Sequence, residues 1–302
     1  MHVFVTGGTG QTGPAIVTEL VSSGHRVTGL ARSEESAARL EALGATPLRG
    51  SVDDLDSLRA GASQADGVVH MAIAGDFSDP ADITRREVAA INALGKTLVG
   101  TGKPLVTTSG TLVLPTGRIS TEHDTADPAS IGSLRIPGEQ ACLAFAQQDV
   151  RAVVVRLAPT VHGPNDHGFI PMLIAAARTT GVSVYVGDGQ NRWPAVHRLD
   201  AADLYRLALE KGPAGQTVHA VGESAVPFRS IAEEIGQQLD LPTRSIATAD
   251  AAAHFGNPFM AVVFSTDAPV SSEHTQQLLG WTPDHRSLLE DLEHGDYFDR
   301  QA

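Results

Sequence analysis

Three groups of residues in this chain of 302 could carry chemistry. The first is the run Thr6-Gly7-Gly8-Thr9-Gly10-Gln11-Thr12-Gly13, which follows a short apolar strand. It opens a helix with Ile16, Val17, Leu20 and Val21 on one face. Glycines are needed there because a Cβ would block the tight turn, the approach of a pyrophosphate or the close helix–strand contact. The helix N-terminus then offers unpaired N–H groups and the positive end of its dipole to the phosphates. These eight residues are expected to hold a dinucleotide. The second group is Ala31-Arg32-Ser33, at the end of the second strand. An NAD enzyme usually has Asp or Glu at this place, on the ribose hydroxyls. A guanidinium can instead clamp a 2′-phosphate, with the Ser33 hydroxyl and amide assisting. The expected cofactor is therefore NADP, with NAD as the less favoured choice. The third group is His123, His162 and His167, in two loops. An imidazole with a pKa of about 6.5 could supply a proton to a reduced carbonyl.

Other chemistries lack their residues. Ser109 has no Gly-x-Ser-x-Gly elbow around it, which removes a serine-hydrolase reading. No His-x-x-x-His occurs, and His162 and His167 have no clear third ligand nearby, so no metal is expected. The one cysteine, Cys142, excludes a disulfide framework and reads as a small buried apolar residue. A net charge of −13 with scattered basic residues speaks against nucleic acid and anionic membrane as partners, and the expected partner, a small-molecule substrate, is not read from the charge. The first strand begins at His2, which leaves no room for a signal peptide, and no apolar run reaches the roughly 18 residues of a membrane span. A cytoplasmic protein is expected.

The elements that must position these residues alternate. Strands are read at His2–Thr6, Arg26–Ala31, 46–50, 67–71, 105–109 and 152–157. Helical stretches at 12–23, 34–43, 55–61, 81–101 and 132–148 separate them. That order predicts an α/β fold with a parallel sheet covered on both faces. After Leu157 the regularity weakens, and Pro159, Gly163, Pro164, Gly168 and Pro171 mark a long irregular connection. A helix at 171–179, a strand near 182–186, a loop at 187–194 and helices near 200–210 and 227–239 follow. The dinucleotide-binding domain is placed at 1–162, with 195–222 returning to it. A substrate-binding part is placed at 163–194 and 223–302.

With these residues in place, the sequence resembles the short-chain dehydrogenase/reductase superfamily in its extended, epimerase/dehydratase-like form. The glycine run carries the resemblance first. Ala65-Asp66-Gly67-Val68-Val69-His70-Met71-Ala72 and Leu105-Val106-Thr107-Thr108-Ser109-Gly110-Thr111 resemble its fourth and fifth strands. The segments from Arg156 to Pro164 and from Leu278 to Pro283 resemble a turn and an ending found in that group. The resemblance implies a doubly wound parallel (Rossmann) sheet, with substrate bound over the nicotinamide by the C-terminal part. It adds Ser51, Val52, Met71, Ala72, Thr108, Pro159 and Val161 to the expected cofactor residues, and implies a homodimer through the helices near 81–101 and 132–148. Ser109 then matches the residue that hydrogen-bonds the substrate oxygen.

The Tyr-x-x-x-Lys pair that completes such a site is missing. The three tyrosines, Tyr185, Tyr205 and Tyr297, are followed four residues on by Gly189, Leu209 and Gln301. Alignment on Glu139 and Gln140 puts Ile131 at the tyrosine position and Arg135 at the lysine position, the mark of an atypical member. Arg135 cannot serve as an acid near neutral pH, but it can bind the nicotinamide ribose or stabilise an oxyanion. The proton could then come from a loop histidine, His162 being best placed, or from solvent. An iminium ion or an activated alkene would need no strong acid at all. The loop carrying Arg192 and Trp193 resembles the segment that grips a diphosphate in sugar-nucleotide enzymes. Its arginine is one place off, and an exposed tryptophan there would suit a less polar substrate. Three readings stay open: an NADP-dependent oxidoreductase of a small organic molecule, a dinucleotide sensor without turnover, and an isomerase or epimerase without net redox.

Overall fold

A computed structural model describes residues 1–73 and 79–299. The first half folds as βα units: β1 (His2–Thr6), α1 (Gly13–Ser22), β2 (Arg26–Ala31), α2 (Glu34–Ala42), β3 (Thr46–Arg49), α3 (Leu55–Gln64) and β4 (Gly67–His70). Next come α4 (Pro80–Leu98), β5 (Pro104–Gly110), α5 (Ile136–Ala144) and β6 (Arg151–Leu157). The helix read at 132–148 is shorter than expected. It is a 3₁₀ turn, Ser133–Arg135, then α5 with Pro137 in its first turn, where a missing N–H costs nothing, then another 3₁₀ turn.

The remaining elements are β7 (Thr160–His162), α6 (Phe169–Thr180), β8 (Ser183–Val186), β9 (Arg192–His197), α7 (Arg198–Lys211), β10 (Gln216–Ala220), β11 (Glu223–Pro227) and α8 (Phe228–Gln238). After them come β12 (Thr243–Ile246), α9 (Thr248–His254), α10 (Pro258–Ser265), α11 (Glu273–Leu279) and α12 (Leu288–His294). The sequence patterns do not reveal β7, β9, β10, β11 and β12.

Seven parallel strands form the central sheet in the order β10-β6-β5-β4-β1-β2-β3. The chain reverses direction across the sheet after β3, so the crevice between β1 and β4 is the switch point where open α/β sheets take ligands. Helices α1 and α7 pack together over one face, and α3, α4 and α5 cover the other. A sheet of order β11-β9-β7 and the pair β12-β8 lie beyond the carboxyl end of β6. They enclose a separate apolar cluster around Trp193, Phe228 and Phe264. Among the described residues no helix is long and apolar enough to cross a membrane.

Candidate active site

The carboxyl ends of β1 to β4 open onto a cleft of about 820 Å³. Gly7 sits at φ +78°, and a Cβ on it would lie 2.8 Å from the Ala72 amide nitrogen. A Cβ on Gly13 would run into the Gly7 carbonyl. The N-cap of α1, Thr12, makes no side-chain capping bond, and no acidic residue stands in the first turn. The free amides of that turn are left for an anion at the cleft floor, which is the arrangement that suits a pyrophosphate.

Gly7, Thr9, Gly10, Gln11, Thr12 and Gly13 line this cleft, as do Arg32, Ser33, Ser51 and Val52. Met71, Ala72, Thr108, Pro159 and Val161 border it further along. Thr6 and Gly8 do not. Thr6 is buried with its hydroxyl 2.7 Å from His70 Nδ1, and Gly8 lies under the loop against Leu40 and Val17. Both support the loop from beneath and have no face towards a ligand. The Ser33 amide and hydroxyl are engaged with Ser36 in the capping box of α2, which corrects the expectation that they are free for a phosphate. Arg39, one turn along α2, borders the cleft as Arg32 does. Both guanidinium groups are exposed and unpaired among the described residues; Glu34 is taken by Arg49, and Glu35 borders the same cleft.

Past Thr108 a smaller cavity of about 270 Å³ adjoins the cleft. Met71, Ile73, Thr108, Leu157, Ala158 and Pro159 border both spaces. Leu112 and Val113 complete an apolar wall, and Ser109, Thr111 and Arg135 supply polar groups. Arg135 projects from the turn before α5. Its Nη2 donates to the Thr108 carbonyl and pairs with Glu87 Oε1 at 3.0 Å. Glu87 faces inward from α4 between Ile83 and Ile91. Burial pushes its carboxyl up to about 7, Arg135 opposes that rise, and Glu139 adds to it. The Thr108 hydroxyl stands 2.6 Å from the Tyr205 hydroxyl and donates to the His70 carbonyl at 3.1 Å. Ser109 and Arg135 thus meet where the sequence put them, whereas Glu87, Thr111, Arg39 and Tyr205 were not singled out.

The remaining candidates stand elsewhere. His162 is fully buried on β7, with Nδ1 2.7 Å from Asp291 and Nε2 3.8 Å from Glu223, and it borders neither space. Its proposed role as proton donor is corrected: the loop expected around it is a strand covered by α12. His197 stands 3.6 Å from the same Asp291 and stacks on His285 with ring planes 7° apart. His197, Asp200 and His285 form one compact group. Parallel stacked rings do not aim two lone pairs at one ion, and His285 Nδ1 is already bonded to Asp200 at 2.6 Å.

Trp193 is 0% exposed and packs on Phe169, Phe228 and Phe264, so it is core and touches no substrate. Arg192, read as part of a loop, begins β9 and is clamped by both oxygens of Asp267. His123 lies exposed against His274, and Ile131 packs on the apolar cluster around Trp193; neither borders the cleft or the smaller cavity. His167 is exposed too, but its amide donates to Gln11 Oε1. Gln11 also binds Asp166, which accepts from the Tyr297 hydroxyl at 2.8 Å, while Arg198 donates to the Gln11 carbonyl. The glycine loop is thereby fastened to residues near the other end of the chain.

Comparison with known proteins accords with this architecture. The chain is 48% identical over 299 residues to an uncharacterized protein of Schizosaccharomyces pombe, covering 99% of this chain and 100% of that one. It is 30% identical over 286 residues to the 4-hydroxy-2-methyl-3-oxo-4-farnesyl-3,4-dihydroquinoline-1-oxide ketoreductase of Stigmatella aurantiaca, covering 89% of this chain and 84% of that one. A dTDP-glucose 4,6-dehydratase of Streptomyces venezuelae, solved with NAD bound, superposes with a TM-score of 0.80 at 19% identity, over 99% of this chain and 97% of that one. The model of the NAD dependent epimerase/dehydratase family matches residues 3–221. The chain belongs to the NAD-dependent epimerase/dehydratase family, as an atypical short-chain dehydrogenase/reductase without the Tyr-x-x-x-Lys pair and an NAD(P)-dependent enzyme of oxidoreductase type.

Proposed function

We propose that the protein is an NADP-dependent reductase of small, mostly apolar carbonyl compounds. The observation that carries this reading is the cavity beyond Thr108. It is small, largely apolar and adjacent to the dinucleotide cleft, and its polar groups are those a carbonyl oxygen needs. The similarity to the ketoreductase of Stigmatella aurantiaca supports it. The cleft accommodates a dinucleotide without rearrangement, because its glycine cradle and uncapped helix end leave the phosphate position open. Arg32 and Arg39 would hold the 2′-phosphate, and two guanidinium groups without partners discriminate strongly for it.

When bound, the reduced cofactor supplies a hydride to the carbonyl carbon. The chain's part is to hold the oxygen and balance its charge. Ser109 would donate a hydrogen bond to it, and Arg135, which borders the same cavity, would offset the developing negative charge. Water supplies the proton, since no acidic side chain of suitable pKa borders this cavity among the described residues. We place the substrate-binding part at 163–194 and 223–302, where the cluster around Trp193 forms its core.

The test is a titration of the protein with NADPH and with NADH, followed by cofactor fluorescence, together with Arg32→Asp. NADPH should bind at least tenfold more tightly, and the variant should lose about 1.4 kcal/mol or more of that preference. Oxidation of NADPH by small ketones should accompany binding. Binding of neither cofactor below the millimolar range would end the reading.

A further inference from the structure

Three buried polar atoms on residues bordering the small cavity have no hydrogen-bond partner among the described residues: Ser109 Oγ, Thr111 Oγ1 and Arg135 Nη1. Ser109 is 5% exposed and Thr111 1%, so bulk water does not reach them freely. A buried donor left unpaired costs about 1–3 kcal/mol, and a site retains such groups where a ligand satisfies them. In the reductase reading, on which the role of Thr111 rests, one substrate oxygen satisfies Ser109. Thr111 is not thereby satisfied. It begins the 3₁₀ turn after β5, two residues past Ser109, and borders the same space. Arg135 is held by Glu87 and by the Thr108 carbonyl through Nη2, which leaves Nη1 free. Elsewhere the wall is largely apolar, with Ile73, Leu112, Val113, Leu157 and Pro159, and the hydroxyl of Thr108 is already engaged with the His70 carbonyl and Tyr205.

We infer that Thr111 determines specificity, and that the substrate is a small keto compound with a second oxygen acceptor near the reacting carbonyl. Ser109 holds the oxygen of the carbonyl that is reduced, and the Thr111 hydroxyl donates to the second oxygen. Arg135 borders the same space, with its Nη2 already committed to the Thr108 carbonyl and to Glu87. Two neutral hydroxyl donors, Ser109 and Thr111, make a neutral dicarbonyl the fitting class. The carbonyl carbon gains the hydride, its oxygen gains a proton from water, and a hydroxyketone leaves with the oxidised cofactor. A site built to hydrogen-bond a substrate oxygen rejects an analogue lacking it more strongly than an apolar pocket rejects a missing methylene, because its own group is then left unpaired.

The experiment compares 2,3-butanedione with 2-butanone, alike in carbon skeleton, for the unaltered protein, Thr111→Val and Thr111→Ser. A dione is the more electrophilic compound whatever the site, so the informative quantity is how the ratio of kcat/KM values changes between variants. Thr111→Val should lower the dione-to-ketone ratio at least tenfold, through loss on the dione alone, while NADPH affinity stays unchanged. Thr111→Ser, which keeps the hydroxyl, should restore the ratio. An unchanged ratio in Thr111→Val, or an equal loss on both compounds, overturns the inference and leaves the reductase reading standing. If neither compound oxidises NADPH with any variant while the cofactor binds, the reductase reading falls and takes this inference with it.

Discussion

Replacing Glu87 with glutamine should make the protein more stable above neutral pH and leave it unchanged in acid. Glu87 is buried inside α4, and that burial holds its carboxyl near 7 against an ordinary value of 4.5, even with Arg135 at 3.0 Å. Below pH 4.5 the folded and unfolded chains both keep this proton. Between 4.5 and about 7 the unfolded chain releases it and the folded chain does not, so this group's contribution to stability falls as pH rises. At about 1.4 kcal/mol per pH unit across that gap, the ionised carboxylate costs about 3 kcal/mol by pH 8. Glutamine keeps the shape and the contact with Arg135 but cannot ionise. Urea unfolding of both proteins at pH 4.5, 6, 7 and 8.5 should give curves of stability against pH that coincide in acid and diverge by about 3 kcal/mol in base. Parallel curves would refute the reasoning and show that Arg135 offsets the full cost of burying the charge.

Two further outcomes can be measured directly. His70, His197 and His219 are each held near 4 by burial first of all, so the folded state keeps them neutral while the unfolded chain protonates them below about 6.5. These three rings should therefore make stability fall on acidification from pH 6.5 towards 4, with net proton uptake on unfolding approaching two in that window once the proton that Glu87 releases is subtracted; uptake below one would contradict this account. Trp193→Ala should cost about 3–5 kcal/mol of stability, as for other buried large-to-alanine changes. It should leave KM near its original value once the protein is folded, whereas a KM raised tenfold in a folded variant would return Trp193 to the substrate.

The parts that the sequence showed plainly are those where backbone geometry admits few residue types. The glycine run is legible because Gly7 and Gly13 stand where a Cβ would strike other backbone, and that demand is local. Ser109 and Arg135 could be placed because the segments that carry them resemble stretches of the family, the fifth strand for one and the helix ending at Glu139 and Gln140 for the other. His162 could not, because its partner Asp291 is 129 residues away and nothing near His162 shows that α12 covers it. Trp193 was misread for the same reason: Phe228 and Phe264, which bury it, come from distant segments. Glu87 did leave a trace, as an acid on the apolar stripe formed by Ile83, Ile91, Leu94 and Leu98. An inward-facing charge on such a stripe marks a buried pairing. Thr111 left none, because a threonine after a strand is common and only three dimensions show that its hydroxyl is unpaired.

The fastening of Gln11 through Asp166 to Tyr297 has a consequence for how the molecule is made. Gln11 leaves the ribosome long before Tyr297, and β1, α1 and β2 can form around it in the interval. Tyr297 comes 131 residues after Asp166. Until it emerges and α12 docks, Asp166 has only Gln11 and the Gly168 amide to hold it, and the loop above the phosphate position lacks its outer support. A nascent chain stalled short of Tyr297 would carry a folded sheet and a loosely set cofactor loop. The cofactor loop acquires its final rigidity only after Tyr297 has emerged and docked on Asp166.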